Sequence, residues 1–217
     1  MLSVVIPTLN AAATLPGCLD GLAEAGEVVI VDGGSADGTR AIAAAAGARV
    51  VSADPGRGRQ MRRGGDAAAG DWLLFLHADT RLGPGWSRAI EAHIAAYPDS
   101  PACFRFRLDD PAWQARLVEA GVALRVRLLG LPYGDQGLLV PRSLYDAVGG
   151  YAPLPLMEDV DLVRRLPRRP RLLGADAVTS AQRWRRDGWL RRSVRNLACL
   201  LLHRLGVGAD RLARLYG

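Results

Sequence analysis

A doubly wound α/β sheet, mostly parallel and covered by helices on both faces, is the fold class this sequence predicts. Apolar runs of strand length alternate with helix-length segments through the first hundred residues. The runs are near-continuous rather than alternating, as expected for strands buried on both faces. Each is followed by a polar or Gly-rich loop, and a parallel sheet gathers such loops at the carboxyl ends of its strands, where ligands bind.

The elements follow in order. "LSVVIP" (2–7) predicts a strand and 12–25 a helix. "EVVIVD" (27–32) predicts a strand and 38–46 a short Ala-rich helix. "ARVVSA" (48–53) is a third strand, with a helix over 58–69. "DWLLFLHAD" (71–79) is a fourth, with a helix over 85–97. Repeated βα units imply right-handed crossovers. The second half is less regular. "PACFRFRL" (101–108) alternates like a strand. Residues 111–129 place Trp113, Leu117, Gly121, Leu124 and Leu128 on one helical face, and "GLLV" (137–140) is a short strand. Residues 187–205 form an amphipathic helix with Leu190, Val194, Leu197, Ala198, Leu201 and Leu205 on one side.

A chain of 217 residues suits one domain with an appended segment. We divide it into a globular unit over 1–180, with halves 1–100 and 101–180, and a basic helical segment over 181–217. The net charge of +6 is uneven: from residue 164 onward 14 arginines face three acids, Asp176, Asp187 and Asp210. Such a segment suits phosphates or an anionic membrane surface, and no nucleic-acid role is expected. Cys18, Cys103 and Cys199 are widely spaced and form no metal pattern, which predicts buried, reduced thiols. The N-terminus has no basic signal-peptide region, and "LACLLL" (197–202) is far too short to span a bilayer. A cytoplasmic chain is expected, with the inner membrane face open to it through the basic helix.

Four stretches carry candidate chemistry. "VDGGSADGT" is a Gly-rich strand-to-helix loop in which Asp32 suits a nucleotide base or ribose; its plainer reading is a tight turn with Asp37 as helix cap. "PGRGRQMRRG" puts Arg57, Arg59, Arg62 and Arg63 near a helix start, an anion site or a solvated basic turn. His77 and Asp79 stand two apart, so on an extended chain they point the same way. They suit a divalent ion shared with a diphosphate, Mg²⁺ by the carboxylate or Mn²⁺ by the imidazole. "LMEDVDLVRRL" opens a helix with Glu158, Asp159 and Asp161, as dipole partners or with one acting as general base.

In order along the chain, "VVIPTLNAAATL", "VIVDGGSADGT", "GRGRQMRRG", "AAGDWLLFLHADT", "VGGY" and "MEDVDLVRRL" resemble a family 2 glycosyltransferase of the GT-A fold, over most of residues 2 to 166. "HAD", "GDQGLLV" and "SAQRWRRDGWLRR" are further similar to a small bacterial subgroup linked to arsenosugar-type glycosides. The resemblance implies that Asp32 contacts the nucleotide base, Asp79 the metal, and that Asp159, beside Glu158, is the catalytic base. Pro7, Thr8, Asn10, Arg57, Arg59, Arg62, His77, Gln136, Arg183 and Arg185 complete the substrate-binding expectation, with His77 also a metal ligand. Two positions depart from the family pattern: His77 stands for the first aspartate of DxD, and Arg62 for an asparagine. "QRW" (182–184) is similar to the QxxRW of processive members, with different spacing.

The expected activity is metal-dependent, inverting sugar transfer from a nucleotide-diphosphate sugar to a hydroxyl on a small or lipid-linked acceptor. A non-catalytic nucleotide-sugar binding protein is the alternative. A sugar-phosphate nucleotidyltransferase fits less well, lacking the Gly-rich start with Arg and Lys. The apolar stripe of 187–205 is expected either to lie in an anionic membrane interface or to pack on the sheet or on a second subunit.

Overall fold

Four parallel strands form where the apolar runs stand: β1 (Leu2–Thr8), β2 (Glu27–Asp32), β3 (Arg49–Ser52) and β4 (Trp72–Phe75). The computed structural model, which describes residues 1–216, joins them to β5 (Thr80–Leu82), β6 (Ala102–Leu108), β7 (Leu138–Pro141) and β8 (Arg171–Thr179) in one sheet of order β3-β2-β1-β4-β7-β6-β8-β5. β1 pairs in parallel with β2 on one side and β4 on the other, Val5 lying between Val29 and Phe75. β7 runs antiparallel to both β4 and β6, so the sheet changes sense beyond β4. Successive residues of β1 feed opposite faces. Val4 and Ile6 join one core with Leu74, Leu76 and Ile90. Val5 joins the other with Val31, Phe75 and Tyr151. A strand buried on both faces has no polar side to show, hence its unbroken apolar run.

The helices are α1 (Leu15–Leu19), α2 (Thr39–Ala45), α3 (Arg57–Ala67), α4 (Trp86–Ala96), α5 (Trp113–Leu129), α6 (Arg142–Ala147), α7 (Glu158–Arg165), α8 (Gln182–Asp187), α9 (Trp189–Arg204) and α10 (Ala209–Tyr216). α3 tolerates Gly64 in its interior because it lies hard on the sheet. A Cβ there would sit 2.2 Å from Val5 and 2.8 Å from Val31, so close approach outweighs the loss in helix propensity.

Several boundaries differ from expectation. The helix predicted over 12–25 is confined to α1, and beyond it, through Gly21, the chain continues as turns, Leu22 N–H to Leu19 O and Ala25 N–H to Leu22 O. The fourth strand stops at Phe75, and His77 to Thr80 is a turn closed by Thr80 N–H to His77 O at 3.1 Å. The apolar face predicted for 111–129 points outward: Trp113, Leu117, Leu124 and Leu128 are all more than half exposed, while Ala115 and Glu119 are buried. The stripe of α9 does not pack on the sheet either, with Leu190, Val194, Leu197 and Leu201 at least half exposed. On the same helix Arg192 and Arg195 turn inward to Asp187 at 2.7 Å each.

Candidate active site

β1 and β4 are neighbours whose outgoing loops part, the chain leaving β1 toward β2 and leaving β4 toward the other half. That is a topological switch point, and it opens a crevice at the carboxyl ends of the strands. A cleft with two lobes fills it. Arg57, His77, Asp79, Ser180 and Arg183 are common to both. The first lobe adds Pro7, Thr8, Asn10 and Gln60. The second adds Tyr133, Gly134, Asp135, Glu158, Asp159 and Trp184, with Arg192 and Asn196 of α9.

The first lobe is held by a backbone knot. Asn10 adopts φ 51°, a conformation asparagine tolerates, and accepts the Ala36 N–H on its Oδ1 at 2.9 Å. Gln60 donates from Nε2 to the carbonyls of Thr8 and Val31, 2.8 Å each, fixing the ends of β1 and β2. Asp32 is fully buried and stays out of the cleft lining. Its carboxylate accepts the N–H groups of Gly34 and Ser35 and the Ser35 and Thr8 hydroxyls. It therefore shapes the Gly-rich loop.

His77 and Asp79 share the cleft because the turn after β4 curls both toward it, not because an extended strand aligns them. The His77 carbonyl also lies 3.6 Å from the Sγ of buried Cys18. His77 Nε2 is buried with no hydrogen-bond partner. Burial, followed by Arg57, lowers its pKa and keeps the imidazole neutral. Asp79 lies 3.6 Å from Arg183.

Across the cleft, α7 begins at Met157, a non-glycine residue at φ 63°. A strained residue of this kind persists only where its surroundings fix it. The carboxylates of Glu158 and Asp159 follow in the first turn. Glu158 Oε1 lies 2.8 Å from Arg57 Nε, and burial, aided by Asp159 and opposed by Arg57, pushes Glu158 up to about 7. Asp159 accepts Gly134 N–H on Oδ2 at 3.0 Å and the Tyr151 hydroxyl on Oδ1 at 3.1 Å. Tyr151 is fully buried, edge-on to Phe75 at 4.8 Å. Two fixed donors thus orient Asp159 while leaving lone pairs for a third.

Gly134 stands close to both His77 and Asp159. A Cβ there would stand 2.3 Å from His77 Nε2 and 2.7 Å from Asp159 Oδ2. Gly134→Ala is expected to lower turnover about tenfold, near the lower end of the cost of overpacking a tight site, with an unchanged circular dichroism spectrum. Wild-type turnover in that variant would show that the gap between His77 and Asp159 has no part in the chemistry.

The cleft gathers Pro7, Thr8, Asn10, Arg57, His77, Asp79, Glu158, Asp159 and Arg183 from the residues singled out by sequence. Five of the expected site residues lie outside its lining, buried Asp32 and four others. Arg59 is exposed, and exposed Arg62 reaches only toward the Tyr151 carbonyl at 3.5 Å. Gln136 is buried between the Phe104 carbonyl and Arg125. Arg185 pairs with Asp110 at 2.5 Å. Sequence reasoning missed Gln60, Tyr133, Asp135 and Tyr151. Gln60 had a readable signal, since it lies three residues from Arg57 and so shares its helical face. Asp135 Oδ1 is buried without a partner, and burial pushes that carboxyl up to about 6, Arg125 opposing and Asp159 and Asp79 assisting.

This sheet, with its switch-point cleft, is the GT-A fold of nucleotide-diphospho-sugar transferases. The Glycosyl transferase family 2 pattern matches residues 3–153, and the chain belongs to that family. A PGL/p-HBAD biosynthesis glycosyltransferase of Mycobacterium tuberculosis is 47% identical over 108 residues, 45% of this chain and 41% of the relative. A Mycobacterium tuberculosis glucosyl-3-phosphoglycerate synthase is 35% identical over 92 residues, 36% of this chain and 28% of the relative. The chain thus spans less than half the length of these relatives. Among solved structures, S. aureus TarS in complex with UDP aligns over 83% of this chain and 61% of its own, with TM-score 0.64 and 17% identity. Glucosyl-3-phosphoglycerate synthase from Mycobacterium tuberculosis, in complex with Mn²⁺, UDP and glucosyl-3-phosphoglycerate, aligns over 83% and 70%, with TM-score 0.56 and 22% identity. At these identities the two structures speak for the fold.

Proposed function

We propose that the chain transfers a sugar from a nucleoside-diphosphate sugar to an acceptor hydroxyl with inversion at the anomeric carbon. The observation that carries this reading is Asp159, clamped by Gly134 and Tyr151 across one cleft from His77 and Asp79. The lobe of Pro7, Thr8 and Asn10 takes the nucleotide, at the place where this class of sheet binds ligands. Arg57 and Arg183 border both lobes and offset charge on the diphosphate as it leaves. The acceptor enters the second lobe. Its oxygen attacks the anomeric carbon as the bond from that carbon to the diphosphate oxygen breaks, and its proton passes to Asp159. Tyr151 and Gly134 hold the carboxylate on the line of attack.

A divalent ion, Mn²⁺ or Mg²⁺, suits Asp79 with His77 as second ligand. The buried, unpartnered Nε2 is a nitrogen in want of a proton or a metal. No cluster of three or more metal-ligating side chains exists among the described residues, which suits an ion completed by phosphate oxygens. When bound, it would supply Lewis-acid stabilisation of the departing diphosphate. Neither relative's name points to an arsenosugar-type acceptor.

Incubation with UDP-sugars and Mn²⁺ tests the proposal. Release of UDP, even slowly to water as acceptor, is the expected result. Tight binding of a nucleotide-sugar with no release in the presence of varied hydroxyl acceptors would leave a binding protein instead.

A further inference from the structure

Nine of the large exposed apolar side chains lie on two helices. On α5 they are Trp113, Leu117, Leu124 and Leu128, from 56% to 67% exposed; on α9 and its C-cap they are Leu190, Val194, Leu197, Leu201 and Leu205, from 50% to 81%. Each set recurs at the spacing of one helical face. α5 touches α9, and both rest their inner sides on one cluster around Phe106, Ala115 and Trp184. The outer sides therefore turn away from the same core. Exposed apolar surface of this extent and regularity marks a place of contact.

Charge decides the partner. α9 contains no acid, and the one acid of α5, Glu119, is buried and bonded to Arg107, Arg116 and the Leu108 N–H. Arg191 and Arg204 fall on either flank of the α9 stripe at 3.6 residues per turn, and Arg127 borders that of α5. All three are exposed, with no ion-pair partner among the described residues. The other arginines of α9 are spent inside: Arg192 and Arg195 pair with Asp187. A second copy docked face to face would bring arginine against arginine, because a twofold contact uses the same patch twice. An anionic surface with an apolar interior satisfies both features at once.

We propose that the joined outer faces of α5 and α9 are a docking surface for an anionic lipid bilayer. Leu and Trp side chains enter the boundary between headgroups and acyl chains, while Arg127, Arg191 and Arg204 meet lipid phosphates. The proposal stands apart from the transferase reading, since it concerns binding alone.

Co-sedimentation with vesicles of phosphatidylcholine, with and without phosphatidylglycerol, tests it on the full chain. Binding at low salt to the vesicles containing phosphatidylglycerol, weak binding to phosphatidylcholine alone, and release by added salt are expected. Arg191→Gln with Arg204→Gln should weaken partitioning about thirty-fold, the combined effect of two charges near an anionic surface. Leu124→Ser with Leu197→Ser should weaken it about tenfold or more through lost apolar burial. All four positions are exposed, so thermal melting should confirm an intact fold. Absence of binding at low salt overturns the proposal, as does binding that neither double variant reduces. A chain that self-associates through Leu124 and Leu197 and ignores vesicles would assign the face to a second copy.

Discussion

Asp159→Asn is expected to lower sugar transfer by roughly 10²–10⁴-fold, the usual contribution of a positioned acid–base group, and to leave nucleotide affinity as it was. The substitution fits the site. The asparagine carbonyl can accept the Gly134 N–H, and its amide can donate to the Tyr151 oxygen, so the clamp at 3.0 and 3.1 Å survives. What is lost is a place for the acceptor proton. Transfer measured beside UDP calorimetry separates this from a folding defect. Near-normal transfer would move the base to another carboxylate, and Asp135, whose Oδ1 is buried and unpartnered in the same lobe, would be tested first. Glu158 is the weaker candidate, because Arg57 already occupies it at 2.8 Å.

Asp79→Ala is expected to abolish the part of UDP affinity that depends on Mn²⁺ or Mg²⁺. Asp79 offers the cleft a carboxylate beside the unpartnered Nε2 of His77, and with alanine there only the imidazole of that proposed pair is left. Such an ion needs at least one protein carboxylate to hold it against its hydration shell. The same change removes the neighbour of Arg183 at 3.6 Å, leaving that arginine for phosphate, so metal-free binding should persist. Calorimetry with and without Mn²⁺ reads both effects. An unchanged gain from Mn²⁺ in the variant would remove Asp79 from the metal assignment.

The parallel half of the sheet was legible because burial on both faces favours unbroken apolar runs, such as Val4 to Ile6, set at strand length between polar and Gly-rich loops. β8 was not. Its buried positions are small residues such as Ala175 and Ala177, and Asp176 between them pairs with Arg105 and Arg107, so the strand carries little apolar signal. β5 is three residues long, too short for any period. The site was legible where chemistry is local. His77 and Asp79 were expected to face one ligand together, and both do line the cleft, though the geometry that joins them is a turn. It was illegible where helix phase selects among similar residues: of the arginines at 57, 59, 62 and 63, α3 points only Arg57 into the cleft. The faces of α5 and α9 show the same limit. Periodicity reveals that an apolar face exists, and only the packing reveals which way it turns.

The contact between Cys18 and the His77 carbonyl gives the cleft a chemical clock. A thiol is alkylated as its thiolate, and burial, with Asp79 adding to it, pushes Cys18 up to about 12. Burial holds Cys103 equally high and raises Cys199 as well. None of the three should react with iodoacetamide while its element stays closed, so each labelling rate counts local openings. Mass spectrometry assigns the three rates separately, to α1 beside the cleft, to β6 in the sheet and to α9 on the outside. A nucleotide that seals the cleft would slow the first and leave the other two unmoved.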